Sequence, residues 1–335
     1  MAQWNGARNW CFSQWRQAAL IVGAVAATAW SSGVAGAVPV GYRPPEMPAA
    51  SAPAQQTRQD ASTYLRSHDD AVPLGANDIG CVPGVRHPRP VVLAHGTDSS
   101  AYADWAAIAP DLAADGFCVF ALNYGGRPGA ERFGTEDVVL SAYQVGEFVD
   151  QVLAWTGAQK VDLVGFSQGA TVTRYYVNKL GGAGNVDLWV GLASPSYGGD
   201  MYGLVPIAES IPGALQAFAA VTSVAVVQQA QGSPVITDLN AGGDTVPGVR
   251  YVTVGSRVDE MIQPFGNIAL RGEGARNIAV QDRCPEDLTG HFQMVYDPYV
   301  RGLLRHLLDP TIPEPACHTV DLGTGIPEVI IGAHS

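Results

Sequence analysis

The sequence predicts an α/β protein: a mostly parallel central sheet with helices on both faces and a helical insert. Two observations predict it. From about Arg89 onward, short apolar runs alternate with longer segments of helical spacing. Strands alternating with helices in this way imply a parallel sheet covered on both faces. The chain of 335 residues is 47% hydrophobic and 15% charged, which favours a large buried core and excludes a disordered protein.

The predicted elements follow in order. "PVVLAHG" (Pro90–Gly96) is an apolar run ended by glycine, the first core strand. "ADWAAIAPDLAADG" (Ala103–Gly116) has helical spacing and a glycine stop. "FCVFALNYG" (Phe117–Gly125) is the next strand, and "DVVLSAYQVGEFVDQVLAWTG" (Asp137–Gly157) a long helix with a terminal glycine. "KVDLVGF" (Lys160–Phe166) is a strand, "QGATVTRYYVNKL" (Gln168–Leu180) a helix and "VDLWVGLASP" (Val186–Pro195) a strand. "VRYVTVGS" (Val249–Ser256) and "ARNIAVQD" (Ala275–Asp282) are further strands, and "VRGLLRHLLDP" marks a terminal helix. The rhythm breaks at Tyr197–Val246, a long insert with the apolar helical stretch Gly213–Ala230 and few charges. A cap over the site is expected there.

The ends read differently. Residues 1–37 carry Arg8 and Arg16, no acidic residue, an apolar run (Ala18–Trp30) and the small-residue signal "AGA" (Ala35–Ala37). That is the pattern of a secretory signal peptide cleaved near Ala37/Val38, and the run is short for a permanent span. Residues 38–74 form a Pro/Ala-rich leader, extended at first and either loosely ordered or laid over the surface. A catalytic domain is expected over 75–310 and a tail over 311–335.

Export removes two of the 19 basic residues and none of the 31 acidic ones, taking the formal charge from −12 to −14. Such a surface repels phosphate backbones, so nucleic acid is excluded as a partner. Cys11 leaves with the signal peptide. Cys81, Cys118, Cys284 and Cys317 remain, an even number in an oxidising compartment. Three pairings are open, the local one being the simplest. No C-x-x-C pair favours zinc, and no loop or His/Asp cluster has metal spacing, so no metal or cofactor is expected.

The chemistry centres on "GFSQG" (Gly165–Gly169), G-x-S-x-G with a strand before it and a helix after it. A sharp strand-to-helix turn lifts the hydroxyl of Ser167 clear of the sheet. The residues two positions either side must then be small. The bland alternative is a serine that caps the helix. A nucleophilic serine needs a base and an acid, following in the order Ser, acid, His. Of the later histidines, His291 lies in a loop after the last strand, whereas His306 lies in the terminal helix and His318 and His334 in the tail. His291 is therefore the candidate base. Asp259, just past the strand Val249–Ser256, is the candidate acid, with Glu260, Asp282 and Asp287 as rivals. The backbone N–H groups of Thr97 and Gln168 are candidates for the oxyanion hole, and the Thr97 hydroxyl is a candidate third donor. His95 precedes the serine and is assigned a structural role.

Four blocks, Val91–Trp105, Val161–Ala170, Ser233–Pro264 and Asn277–Pro298, resemble secreted bacterial triacylglycerol lipases of the class 2 type, as found in actinomycetes. The chain is more distantly similar to fungal lipase B. The resemblance implies an α/β-hydrolase fold, a carboxylester substrate and no cofactor. It implies Thr97 and Gln168 as oxyanion donors and the local disulfides Cys81–Cys118 and Cys284–Cys317. Phe166 stands where many bacterial lipases have histidine.

The expected protein is thus an extracellular, monomeric serine ester hydrolase working on lipid at a lipid–water interface. A short-chain esterase, a polyester hydrolase and an acyltransferase use the same residues. A non-catalytic lipid-binding protein of the cell envelope is the alternative from another class.

Overall fold

A computed structural model of the chain describes residues 39–127, 129–130, 132–199 and 222–326. The expected signal peptide, the first part of the apolar insert helix and His334 lie outside them.

Six parallel strands form the central sheet: β3 (Val91–Ala94), β4 (Val119–Leu122), β5 (Val161–Phe166), β6 (Val186–Leu192), β7 (Arg250–Gly255) and β8 (Arg276–Ala279). They lie in the order β4-β3-β5-β6-β7-β8. Every core strand expected from the sequence is present. Their largely apolar character follows from burial on both faces. Val91 and Leu93 point into one buried cluster and Val92 and Ala94 into another, on the opposite face. Helices α4 (Val138–Thr156) and α5 (Gln168–Lys179) supply Val145, Phe148, Val149, Val172 and Tyr176 to the second cluster. Helices α2 (Ala101–Trp105), α3 (Ile108–Ala114) and α8 (Pro298–Leu308) supply Trp105, Leu112, Leu303 and Leu304 to the first.

One expected helix is two. The stretch Ala103–Gly116 divides between α2 and α3 at Ala106–Ala107. In a continuous helix, Pro110 would be interior and would remove a backbone bond. Restarting the helix at Ile108 puts Pro110 in a first turn, where its missing N–H costs nothing. The long helix behaves as read: Asp137 caps it by accepting from the Leu140 N–H, and Gly157 closes it in the left-handed region at φ 67°.

The leader is built into the fold. Strands β1 (Ala50–Ala52) and β2 (Ala71–Pro73) pair in parallel around helix α1 (Arg58–Leu65), which Thr57 caps through the Asp60 N–H. Ala52, Ala61 and Ala71 are buried in the same cluster as Val91, Leu93 and Trp105. Upstream, Glu46 and Asn123 exchange backbone hydrogen bonds at the end of β4. Both disulfides are local, Cys81–Cys118 and Cys284–Cys317. Past α5 and β6, the described insert residues contain α6 (Val224–Gln228) and α7 (Pro234–Asn240).

Strand order positions the site. From β3 the chain steps outward to β4 and then returns to β5 on the other side of β3. Loops leaving β3 and β5 therefore diverge and open a crevice at their carboxyl ends.

Candidate active site

Ser167 sits in that crevice, immediately after β5. Its backbone is at φ 51°, a region that non-glycine residues rarely adopt. The turn is sharp enough to dictate its neighbours. A Cβ on Gly165 would lie 2.3 Å from the Ala170 nitrogen, and one on Gly169 would lie 1.9 Å from the Ala94 oxygen on β3. Both contacts are with backbone that cannot give way. Ser167 precedes α5 but makes no side-chain capping bond, so the capping alternative does not hold.

Its hydroxyl lies instead 3.0 Å from His291 Nε2, and His291 Nδ1 lies 3.0 Å from Asp259 Oδ2. A carboxylate can only accept, so Nδ1 carries the ring proton and Nε2 is free to accept from the serine. Asp259 is fully buried, and its other oxygen accepts from the N–H groups of Met261 (2.8 Å) and Ile262 (2.7 Å). These bonds fix the orientation of the carboxylate.

The rival residues fall elsewhere. Glu260 accepts from the backbone N–H of His291, while burial pushes its carboxyl pKa up. The adjacent acids thus divide the work: Asp259 holds the ring and Glu260 the backbone. Gly290 is required for this close approach, because a Cβ there would lie 2.0 Å from Glu260 Oε1. Asp282 pairs with Arg257 at the surface. Asp287 is buried against Asp297, and His306 bonds the Ile312 carbonyl. His95 is fully buried, stacked on Tyr124 and bonded to the Gly96 carbonyl; burial lowers its pKa to about 4. It is a neutral structural residue.

The His291 loop is tied down from behind. Cys284–Cys317 fastens the tail to it, and Leu288 N–H donates to the Val320 carbonyl at 2.9 Å. Phe166 packs beside the His291 ring, with centroids 5.2 Å apart.

The candidate oxyanion donors lie on the facing loops. The pairing of Ala94 with Gly165 brings the exits of β3 and β5 side by side. Gln168 is the first residue of α5, so its N–H has no partner within the helix. Among the described residues, neither the Thr97 nor the Gln168 amide donates a hydrogen bond. Two supports of this turn carry no signature in the sequence. Asp104, fully buried, accepts from the Gly96 N–H at 2.7 Å and meets Arg58 of the leader at 2.6 Å. Gln229 donates to the Thr97 hydroxyl at 3.0 Å. Asp104 lies within the block Val91–Trp105 but its role there has no pattern of its own, and Gln229 lies in the insert.

Comparisons with known proteins bear on the family and the fold. The model of the family "Lipase (class 2)" matches residues 88–302, a span that includes Thr97, Ser167, Asp259 and His291. The chain belongs to the class 2 lipase family. Among solved structures, the fold of this class 2 lipase is similar to lipase B of Aspergillus fumigatus, with a TM-score of 0.55 and 21% identity over 70% of this chain and 56% of that one. It is also similar to Bacillus licheniformis lipase BlEst2 in its propeptide form, with a TM-score of 0.52 and 18% identity over 72% of this chain and 54% of that one. The class 2 lipase thus spans a little over half the length of each. At these identities the likeness concerns the fold, that of the α/β-hydrolases. Among the described residues, no helix of the class 2 lipase is long and apolar enough to cross a membrane.

Proposed function

We propose that this class 2 lipase is a secreted serine ester hydrolase that cleaves triacylglycerol at a lipid–water interface. The observation that carries the reading is the hydrogen-bonded chain Ser167–His291–Asp259 on a strained turn, beside two unpartnered amides. Family membership supports lipolytic chemistry. Two disulfides suit an oxidising, extracellular setting.

This geometry supports an acyl-enzyme route. His291 Nε2 takes the proton of the Ser167 hydroxyl as Oγ attacks the ester carbonyl. The imidazolium is stabilised by Asp259, which keeps its charge. The N–H groups of Thr97 and Gln168 hold the tetrahedral oxyanion, each contributing about 2.7–4 kcal/mol of transition-state stabilisation. His291 then gives its proton to the leaving alcohol, and the acyl-enzyme forms. Water, deprotonated by the same nitrogen, releases the fatty acid and restores Ser167. The insert 197–246 serves acyl-chain binding; its described part reaches Thr97 through Gln229 and exposes Val224.

Rates on p-nitrophenyl esters from acetyl to palmitoyl, with Ser167→Ala alongside, test the proposal. High rates on long chains, reduced roughly 10⁶-fold in the variant, are expected. Rates confined to short chains would replace the lipase with an esterase. No hydrolysis and no labelling of Ser167 by a fluorophosphonate would overturn the serine-hydrolase reading.

A further inference from the structure

We infer that Gln229 is a positioning residue that turns the Thr97 hydroxyl into a third oxyanion donor; the inference rests on the hydrolase reading above. A threonine hydroxyl has one proton and two acceptor sites, so what matters is which partner takes the proton. Gln229 Nε2 lies 3.0 Å from Thr97 Oγ1 and also 3.0 Å from the Ala225 carbonyl oxygen, one turn back on its own helix. A carbonyl oxygen can only accept. The atom facing both groups is therefore the amide nitrogen, and the reversed side-chain orientation would set two acceptors against each other. One N–H goes to Ala225 and the other to Thr97.

Thr97 Oγ1 is thus an acceptor toward Gln229, and its own proton cannot point that way. It stays available to the crevice where the oxyanion forms. Gln229 is itself well held. It is 8% exposed, and its backbone carbonyl accepts from the Gly199 N–H at 3.0 Å. The preceding Gln228 accepts from the Val138 N–H and donates to Asp137 at the start of α4. The segment carrying Gln229 is therefore docked on the core from two sides. A hydroxyl oriented in advance costs no reorganisation as charge develops, which is where such a donor gains its strength.

The test is a double-mutant cycle on kcat and KM for one p-nitrophenyl ester. Thr97→Val removes the hydroxyl and keeps the amide, and Gln229→Met removes the donor and keeps the volume. Thr97→Val should lower kcat by roughly 10²-fold, and Gln229→Met by about tenfold, both with KM nearly unchanged. In the Thr97→Val background, Gln229→Met should have no further effect on kcat, although any loss of Tm would persist. That disappearance is what a merely structural role would not produce. Gln229→Glu, with kcat counted per enzyme labelled at Ser167 by a fluorophosphonate, separates the role from misfolding: it presents an acceptor to Thr97 that captures the hydroxyl proton, its repulsion from the Ala225 carbonyl is read as Tm, and it should lose at least as much kcat as Thr97→Val. A tenfold loss that persists in the Thr97→Val background, or wild-type kcat in Gln229→Glu, overturns the role of Gln229. In either case, wild type that hydrolyses ester and labels at Ser167 leaves the hydrolase reading standing. Wild type that does neither removes both.

Discussion

Arg58→Ala is the perturbation with the most to say about how the leader serves the core. Arg58 lies on α1, and its guanidinium meets Asp104 at 2.6 Å, with the aspartate side chain fully buried and the arginine side chain 18% exposed. The same carboxylate receives the Gly96 N–H at 2.7 Å, one residue before Thr97. The guanidinium also lies 5.6 Å from the centroid of Phe166, just before Ser167. Removing it leaves a charge buried with a single backbone donor. Breaking a buried pair from one side costs about 3–5 kcal/mol, and the slight exposure of Arg58 places this case near 3. At roughly 2–4 °C per kcal/mol for a domain of this size, Tm should fall by about 6–12 °C. Thermal unfolding of wild type, Arg58→Ala, Asp104→Asn and the double variant is the assay. The double variant should recover most of the loss, because a neutral amide needs no counter-charge. A penalty below about 1 kcal/mol for Arg58→Ala, or equal penalties for the single and double variants, would refute the reasoning. The kcat on p-nitrophenyl esters should fall in Arg58→Ala with Ser167 still labelled, because the turn bearing Thr97 has lost its anchor.

Three further outcomes are expected. Gly169→Ala would place its methyl 1.9 Å from the Ala94 oxygen, so ester hydrolysis should be lost and the soluble yield should drop; a fully active variant would mean the turn is far softer than it looks. Cys284→Ser with Cys317→Ser opens a loop whose ends are 33 residues apart, which should cost about 2–4 kcal/mol in denaturant unfolding and lower kcat by loosening the segment before His291. The buried pair Asp287–Asp297 supplies a pH dependence. Burial raises both carboxyl pKa values, and repulsion from Asp297 adds to the rise of Asp287, which reaches about 7. The folded state then holds more protons than the unfolded chain between about pH 4 and 7, so stability should decline as pH rises through that window. Asp287→Asn should flatten this decline in urea titrations at pH 5 and pH 8, and an unchanged difference between the two would refute the assignment to Asp287.

Local chemistry was readable wherever one short segment determines its own conformation. "GFSQG" dictates the strained turn because each glycine is forced by backbone lying a few residues away or on the next strand. The core strands were legible because burial on both faces makes most of their residues apolar, even though the edge strand β8 opens on exposed Arg276 and Asn277. Asp259 and His291 could be located because each follows a strand in the required chain order. Their rivals could not be dismissed from sequence, since Glu260 is adjacent to Asp259 and only the packing sends one side chain to the ring and the other to the backbone. The expected helix over Ala103–Gly116 missed its break because spacing alone ignores what Pro110 does to the preceding turn.

The sequence by itself determined the sheet, the serine turn and the order along the chain of the residues that meet it. Those follow from periodicity and small-residue constraints. Only the tertiary structure decided that the leader reaches the turn before Thr97 through Arg58 and Asp104, and that Gln229 donates to the Thr97 hydroxyl. The physical reason is sequence distance. Arg58 and Asp104 are 46 positions apart, and Thr97 and Gln229 are 132 apart. No local pattern encodes a partner that reaches its place only after the sheet has brought separate segments together.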